Sequence, residues 1–227
     1  MYPRYYARIN VYYNTYTELA MENYFKISHI YDFIKNANTI DEIYDKTGDF
    51  NKAMISTVIF SGMAVESLLN DYLATCLGDE HFYSSYDKLS LIGKLILACD
   101  AILHIRIDKS KQLFYLINEL TKYRNRFIHN KSEDGKKYGM KYEDYEKFKE
   151  ICDSDDFYSI DKDNYITDFK IAKNAIKTII ELVKFLDLYD KNVHATLKCF
   201  GGIEEHYKND IMWIETKKLL KIKKDLL

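Results

Sequence analysis

The chain has 227 residues, 47% hydrophobic and 30% charged, with a formal net charge of −2. That length and balance fit one sizeable core and exclude a disordered or collagen-like chain. A near-neutral total also excludes attraction to nucleic acid through overall charge, so any such attraction must be local.

Pro3 is the single proline, so no internal proline interrupts a helix. Glycines fall mostly between periodic segments, at Gly48, Gly78, Gly135, Gly139, Gly201 and Gly202. The expected fold is all-α: an up-and-down bundle of four to five core helices in a single domain. Its core spans about residues 51–188, with helical extensions over 1–50 and 189–227.

In chain order, Ile9, Tyr13, Tyr16, Ala20, Tyr24, Ile27, Tyr31 and Ile34 keep a helical period and predict a long first helix. Thr39-Ile40-Asp41-Glu42 fits a capping box opening a short turn of helix. Asn51 to Leu77 predicts a second long helix, stopped by Gly78. It is apolar almost all round, which places it at the centre of the bundle. Ser90 is the expected cap of a third helix running to about Leu103, and Asp108 or Ser110 the cap of a fourth. Asn130 to Gly139 reads as a loop, Lys141 to Cys152 as a charged surface helix, and Asp153 to Asp168 as an acidic irregular connection. Thr167 or Asp168 then caps a helix carrying Ile171, Ala175, Ile179, Leu182, Val183 and Leu186. After Gly201-Gly202, Ile203 to Leu227 reads as a last, lysine-rich helix.

The chemistry concentrates in Leu113 to Lys131. Leu113, Leu116, Ile117, Leu120 and Phe127 form an apolar stripe, and Arg124 falls on it. A guanidinium does not lose its charge and is costly to bury alone. Arg124 therefore needs a carboxylate, a phosphate or a water-filled cleft. Glu66 stands in the middle of the most apolar helix and needs a partner in turn, with Asn70 on its stripe four residues on. Arg124 is the obvious candidate, whether the pair is purely structural or orients groups in a cleft. Asn125 and His129 share a neighbouring stripe. Arg124 and His129 are about 140° apart around an ideal helix, and meet only through the length of the arginine and a loosened helix end. His129 at the C-terminus also suits the helix dipole.

Other chemistries lack their residues. His29, His81, His104, His194 and His206 show no metal-binding spacing, and there is no phosphate-binding glycine loop or nucleophile elbow. No metal or other cofactor is expected. Cys76, Cys99, Cys152 and Cys199 lie far apart, which predicts reduced thiols and a cytoplasmic location. The N-terminus has Tyr and Arg where a signal peptide is apolar, and the longest uncharged stretch, Ala53 to Val65, is too short for a bilayer, so no membrane partner is expected. Charge is uneven: His104 to Lys141 holds ten Lys or Arg against four Asp or Glu, while Tyr142 to Asp168 holds three against ten. Either a basic face surrounds Arg124, or the two stretches neutralise each other in space. The tyrosine excess, 21 residues, reads as AT-rich coding bias rather than function.

Arg124-Asn125, three residues and His129, late in a long helix of an all-α chain, resembles the R-N-x3-H motif of HEPN domains. The apolar helix Ala53 to Leu77 and the Lys88 to Leu95 helix start precede it in the order the resemblance expects, which extends over about residues 51–188. The resemblance implies a homodimeric, metal-independent endoribonuclease acting on RNA, in a toxin or phage-defence role, with an antitoxin or effector protein as a further partner. Arg124, Asn125 and His129 would be catalytic and Glu66 and Asn70 supporting. Lys122, Arg126 and Lys131 would contact RNA, with Lys131 standing where toxin-type relatives carry a tyrosine. The alternative is a non-catalytic dimeric interaction module, or a nucleotide-binding one using the same cationic cleft.

Overall fold

The computed structural model describes residues 12–37, 40–129 and 162–189. It is all-helical, with six α-helices packed together and no strand among the described residues. They are α1 (Tyr13–Asn36), α2 (Ile40–Leu77), α3 (Asp79–Ser85), α4 (Leu91–Leu97), α5 (Gln112–Ile128) and α6 (Lys162–Tyr189). A π-helical segment, Ala98–Leu103, continues α4.

The apolar α2 is the axis of the bundle and packs against each of the other five helices. Its Phe50, Val58, Val65, Leu69 and Leu73 are fully buried. Around it, α1 contributes Ala20, Met21, Tyr24 and Ile27, α5 contributes Ile117 and Leu120, and α6 contributes Ala172, Ile176, Ile180 and Leu186 to one hydrophobic cluster. Thus α1 packs as part of the core rather than as an appendage to it. Over Lys46–Leu77, α2 is also long and apolar enough to cross a membrane by length and composition, although 56% of that apolar window is buried inside the bundle.

Several tyrosines work in this packing. Tyr31 stacks on Phe169 with ring centroids 4.3 Å apart. Tyr165 meets Phe50 edge-on at 5.1 Å and shares a 2.7 Å hydrogen bond with Thr47. Aromatic pairs of this geometry add about 0.5–1.5 kcal/mol beyond area burial.

Element boundaries differ from the sequence expectations for local reasons. The short turn and the second helix are one continuous α2, with Gly48 inside it; Thr39 of the expected capping box lies outside the described residues. Gly78, with φ of 89°, ends α2 as expected and then serves as N-cap of the short α3, whose Phe82 is buried. Ser90 caps α4 by accepting a 3.1 Å hydrogen bond from the Gly93 N–H. The next helix is capped by neither Asp108 nor Ser110. The Asp108 carboxylate accepts bonds from Ser110 N–H and Oγ–H at 2.9 and 2.6 Å, so it closes a turn, and α5 starts after Lys111 with no side-chain cap.

The acidic connection ends earlier than expected, because α6 begins at Lys162 and holds Thr167 and Asp168 in its interior. Tyr165 and Phe169, docked on α2 and α1, recruit these residues into the helix. The expected loop over Asn130 to Gly139, the expected helix over Lys141 to Cys152 and the expected last helix from Ile203 fall outside the described residues. Cys99 is a free, buried thiol. Burial, with Asp100 adding, pushes the Cys99 thiol up to about 11, so it is inert at neutral pH.

Candidate functional site: a carboxylate bridging two inward cations

Three helices bring one charged residue each to the same point. Leu113, Leu116, Ile117 and Leu120 turn α5 toward the core, and the stripe they define carries Arg124 inward with them. On α2, Gly62 receives it. A Cβ built on Gly62 would lie 2.5 Å from Arg124 Cδ, so only a residue without a side chain leaves room for the arginine stem. One turn along α2, Glu66 Oε2 accepts a 2.7 Å hydrogen bond from Arg124 Nη1.

The second oxygen, Glu66 Oε1, lies 3.3 Å from Nζ of Lys94 on α4. Lys94 is 1% exposed, Arg124 19% and Glu66 37% by side chain, so the pair with Lys94 is anchored deepest and water reaches the carboxylate from one side. Burial pushes the Glu66 carboxyl up. The hydrogen bond from Arg124 and then the charge of Lys94 outweigh this and hold it below its ordinary range. The triad carries two positive charges and one negative. With both oxygens engaged and its carboxyl lowered, Glu66 is suited to holding cations in place and unsuited to taking a proton.

Hydrogen bonding here is incomplete. Among the described residues, Arg124 Nε is buried with no protein acceptor, and the side-chain oxygens of Ser61 and Asn70 on α2 are likewise buried without a partner. Such orphans are uncommon in a packed interior and ask for water or a ligand oxygen. Asn70 is half-buried, and no hydrogen bond joins it to the triad among the described residues.

The remaining sequence-nominated residues lie on the other side of α5. Asn125, Arg126 and His129 are exposed, as is Lys122, whose ammonium sits 3.9 Å from Glu119 and over the Tyr123 ring. His129 is the C-cap residue of α5, and its backbone N–H donates a 2.9 Å bond to the Asn125 carbonyl. No hydrogen bond joins Arg124 to His129 among the described residues. Arg124 turns inward with its side chain 19% exposed, while His129 lies at the surface. Arg126 faces α6 closely enough to act on Asp168: burial raises that carboxyl, and Arg126 partly offsets the rise. Here one charge of the basic stretch acts on one of the acidic stretch. Lys131 lies outside the described residues. Among the described residues no group of three or more His, Cys, Asp or Glu is placed to hold a metal ion.

Lys94 is a site residue that the sequence pattern alone did not single out. The signal was present: Lys94 follows Leu91 by three and precedes Ala98 by four, on the buried face of its helix. It is the same anomaly as Arg124, a cation on an inner stripe. Gly62, a glycine within the most apolar helix, was the corresponding sign of close approach. No family model, curated protein or solved structure matches the chain.

Proposed function

We propose that this protein is a metal-independent endoribonuclease of HEPN type. The observation that carries the reading is the guanidinium of Arg124, anchored at Nη1 by Glu66 on an otherwise apolar stripe, five residues before an exposed histidine at the end of the same helix. Such an arginine is preorganised, because the side chain loses little further freedom when it meets a phosphate. The net positive triad would attract one.

In this reading the nucleophile is the RNA's own 2′-hydroxyl, attacking the adjacent phosphorus. The bond to the 5′-oxygen of the next nucleotide breaks, leaving a 2′,3′-cyclic phosphate and a 5′-hydroxyl. His129 takes the proton from the 2′-hydroxyl or supplies one to the departing 5′-oxygen, since imidazole changes charge near neutral pH. Arg124 stabilises charge on the non-bridging oxygens. Asn125 orients the imidazole or the phosphate, and Arg126, Lys122 and Lys131 hold flanking phosphates. Within one chain Arg124 and His129 face different ways, so the reading requires a homodimer that sets the α5 helices of two copies across one groove. The exposed Tyr115, about 40° from His129 around an ideal α5, supports such a face. A toxin or phage-defence role, with an antitoxin or effector as partner, is the biological setting this chemistry fits.

The test is cleavage of total RNA in EDTA by the wild type and by His129→Ala, with light scattering on both. Cutting by the wild-type dimer and its loss in the variant support the reading. A monomer, or cutting that needs a divalent metal, contradicts it. One observation favours a second reading. The triad satisfies the charge of Arg124 without any substrate, as a non-catalytic dimeric interaction module would require. A folded dimer that cuts no RNA favours that module.

A further inference from the structure

At the opposite end of α5 from the triad lies a cavity of about 440 Å³, bounded by the 104–111 connection, the first turn of α5 and the last turns of α6. Gln112 and Arg124 are separated by about 18 Å of helix at 1.5 Å per residue, so this cavity is remote from the proposed reaction centre. Its size falls within the roughly 300–1,000 Å³ of small-molecule sites.

The wall is mainly apolar, from Leu95, Ile105, Ile107, Leu113, Phe114 and Phe185. The charged groups around it are not balanced. Glu181 is committed to Lys184 at 3.3 Å. Asp108 accepts two hydrogen bonds from Ser110, which hold its carboxyl low, with Lys111 adding a little, so it stays an anion. Arg106 and Lys111 are both exposed and in no ion pair among the described residues, and with Lys184 they leave the lining one positive charge in excess over Asp108 and Glu181. The same place holds the N-terminus of α5, whose cap residue makes no side-chain hydrogen bond and whose first turn has no acidic residue. The leading N–H groups of a helix carry partial positive charge and favour an anion. Apolar walls, a net positive lining and an uncapped helix start therefore meet in one cavity.

We propose that this cavity binds a small amphipathic carboxylate, with its aliphatic body against the apolar wall and its head group at Arg106, Lys111 and the start of α5. A neutral ligand of the same body would leave the cations unanswered, and a cationic one would be repelled.

The experiment is isothermal titration of the full chain with decanoate, decanol and decyltrimethylammonium, each below its aggregation threshold. It is repeated on the double variant Arg106→Glu with Lys111→Glu. Both positions are exposed, so helical circular dichroism should be unchanged. The expected result is saturable decanoate binding about tenfold or more tighter than decanol, a difference of about 1.4 kcal/mol. The double variant should lose that advantage and bind decanol as before. Absence of saturable decanoate binding, equal affinity for decanol, preference for the cation, or wild-type decanoate affinity in the double variant would each overturn the proposal.

Discussion

Replacing Glu66 by glutamine keeps the shape of the bridging side chain and removes the charge that two cations share. Lys94 then stands 1% exposed beside a neutral amide, while Arg124, at 19%, retains some access to water. Breaking a buried pair by removing one partner typically costs about 3–5 kcal/mol. Glu66 is partly solvated in the folded state, which reduces its share of that loss.

A ceiling follows from lysine chemistry. A lysine of ordinary basicity, about 10.4, can be neutralised at pH 7 for about 3.4 units at 1.36 kcal/mol each, or about 4.6 kcal/mol. A stranded ammonium cannot cost more, because losing its proton is then the cheaper route. The expected destabilisation of Glu66→Gln at pH 7 is therefore about 2–4 kcal/mol. Urea denaturation of both proteins at pH 7 reads this out, and adding Lys94→Met to the variant should recover part of the loss. An unchanged midpoint for Glu66→Gln would refute the buried, shared carboxylate.

Other outcomes follow from the same geometry. Gly62→Ala puts a methyl group 2.5 Å from Arg124 Cδ; it should cost about 1–3 kcal/mol in thermal unfolding and abolish any RNA cleavage by displacing the guanidinium. Gly48 is exposed inside α2, and a methyl group placed on it would meet nothing within 4 Å, so Gly48→Ala should stabilise by about 0.5–1 kcal/mol in urea. Because the Glu66 carboxyl is held below its ordinary range, the stability it contributes is present above the unfolded-state value and lost as pH falls through the folded one. Wild type should therefore lose stability toward acid by a margin that Glu66→Gln does not share, as acid titration of both, followed by circular dichroism, would show.

The sequence disclosed the bundle because burial leaves a periodic trace. The stripes on α1, α2, α5 and α6 and the breaks at Gly78 and Ser90 are local patterns, and the structure contains them. Arg124 and Glu66 were legible as a pair since each was a charge where an apolar residue belonged. Lys94 carried the same mark but sat on a helix of only seven residues, too short for its stripe to stand out. The early start of α6 was hidden because its cause is tertiary: Tyr165 and Phe169 are held by rings on other helices. The α5 start departs from the sequence expectation because Asp108 and Ser110 satisfy each other, a choice between two local hydrogen-bond patterns that composition does not decide. The inward turn of Arg124 and the outward turn of His129 follow from their separation of about 140° on an ideal helix, and that separation makes a second copy necessary to the proposed chemistry.

The most direct test of that chemistry uses one short RNA with a mapped cleavage site and its twin carrying a single 2′-deoxy substitution on the 5′ side of the cut, both incubated with the protein in EDTA. Attack by the adjacent 2′-hydroxyl predicts cutting of the first with a 2′,3′-cyclic phosphate end and no cutting of the twin at that position. It also predicts that His129→Ala slows the first reaction by about 10²–10⁴ while remaining folded. Cleavage of the deoxy-substituted twin at the normal rate would contradict the mechanism.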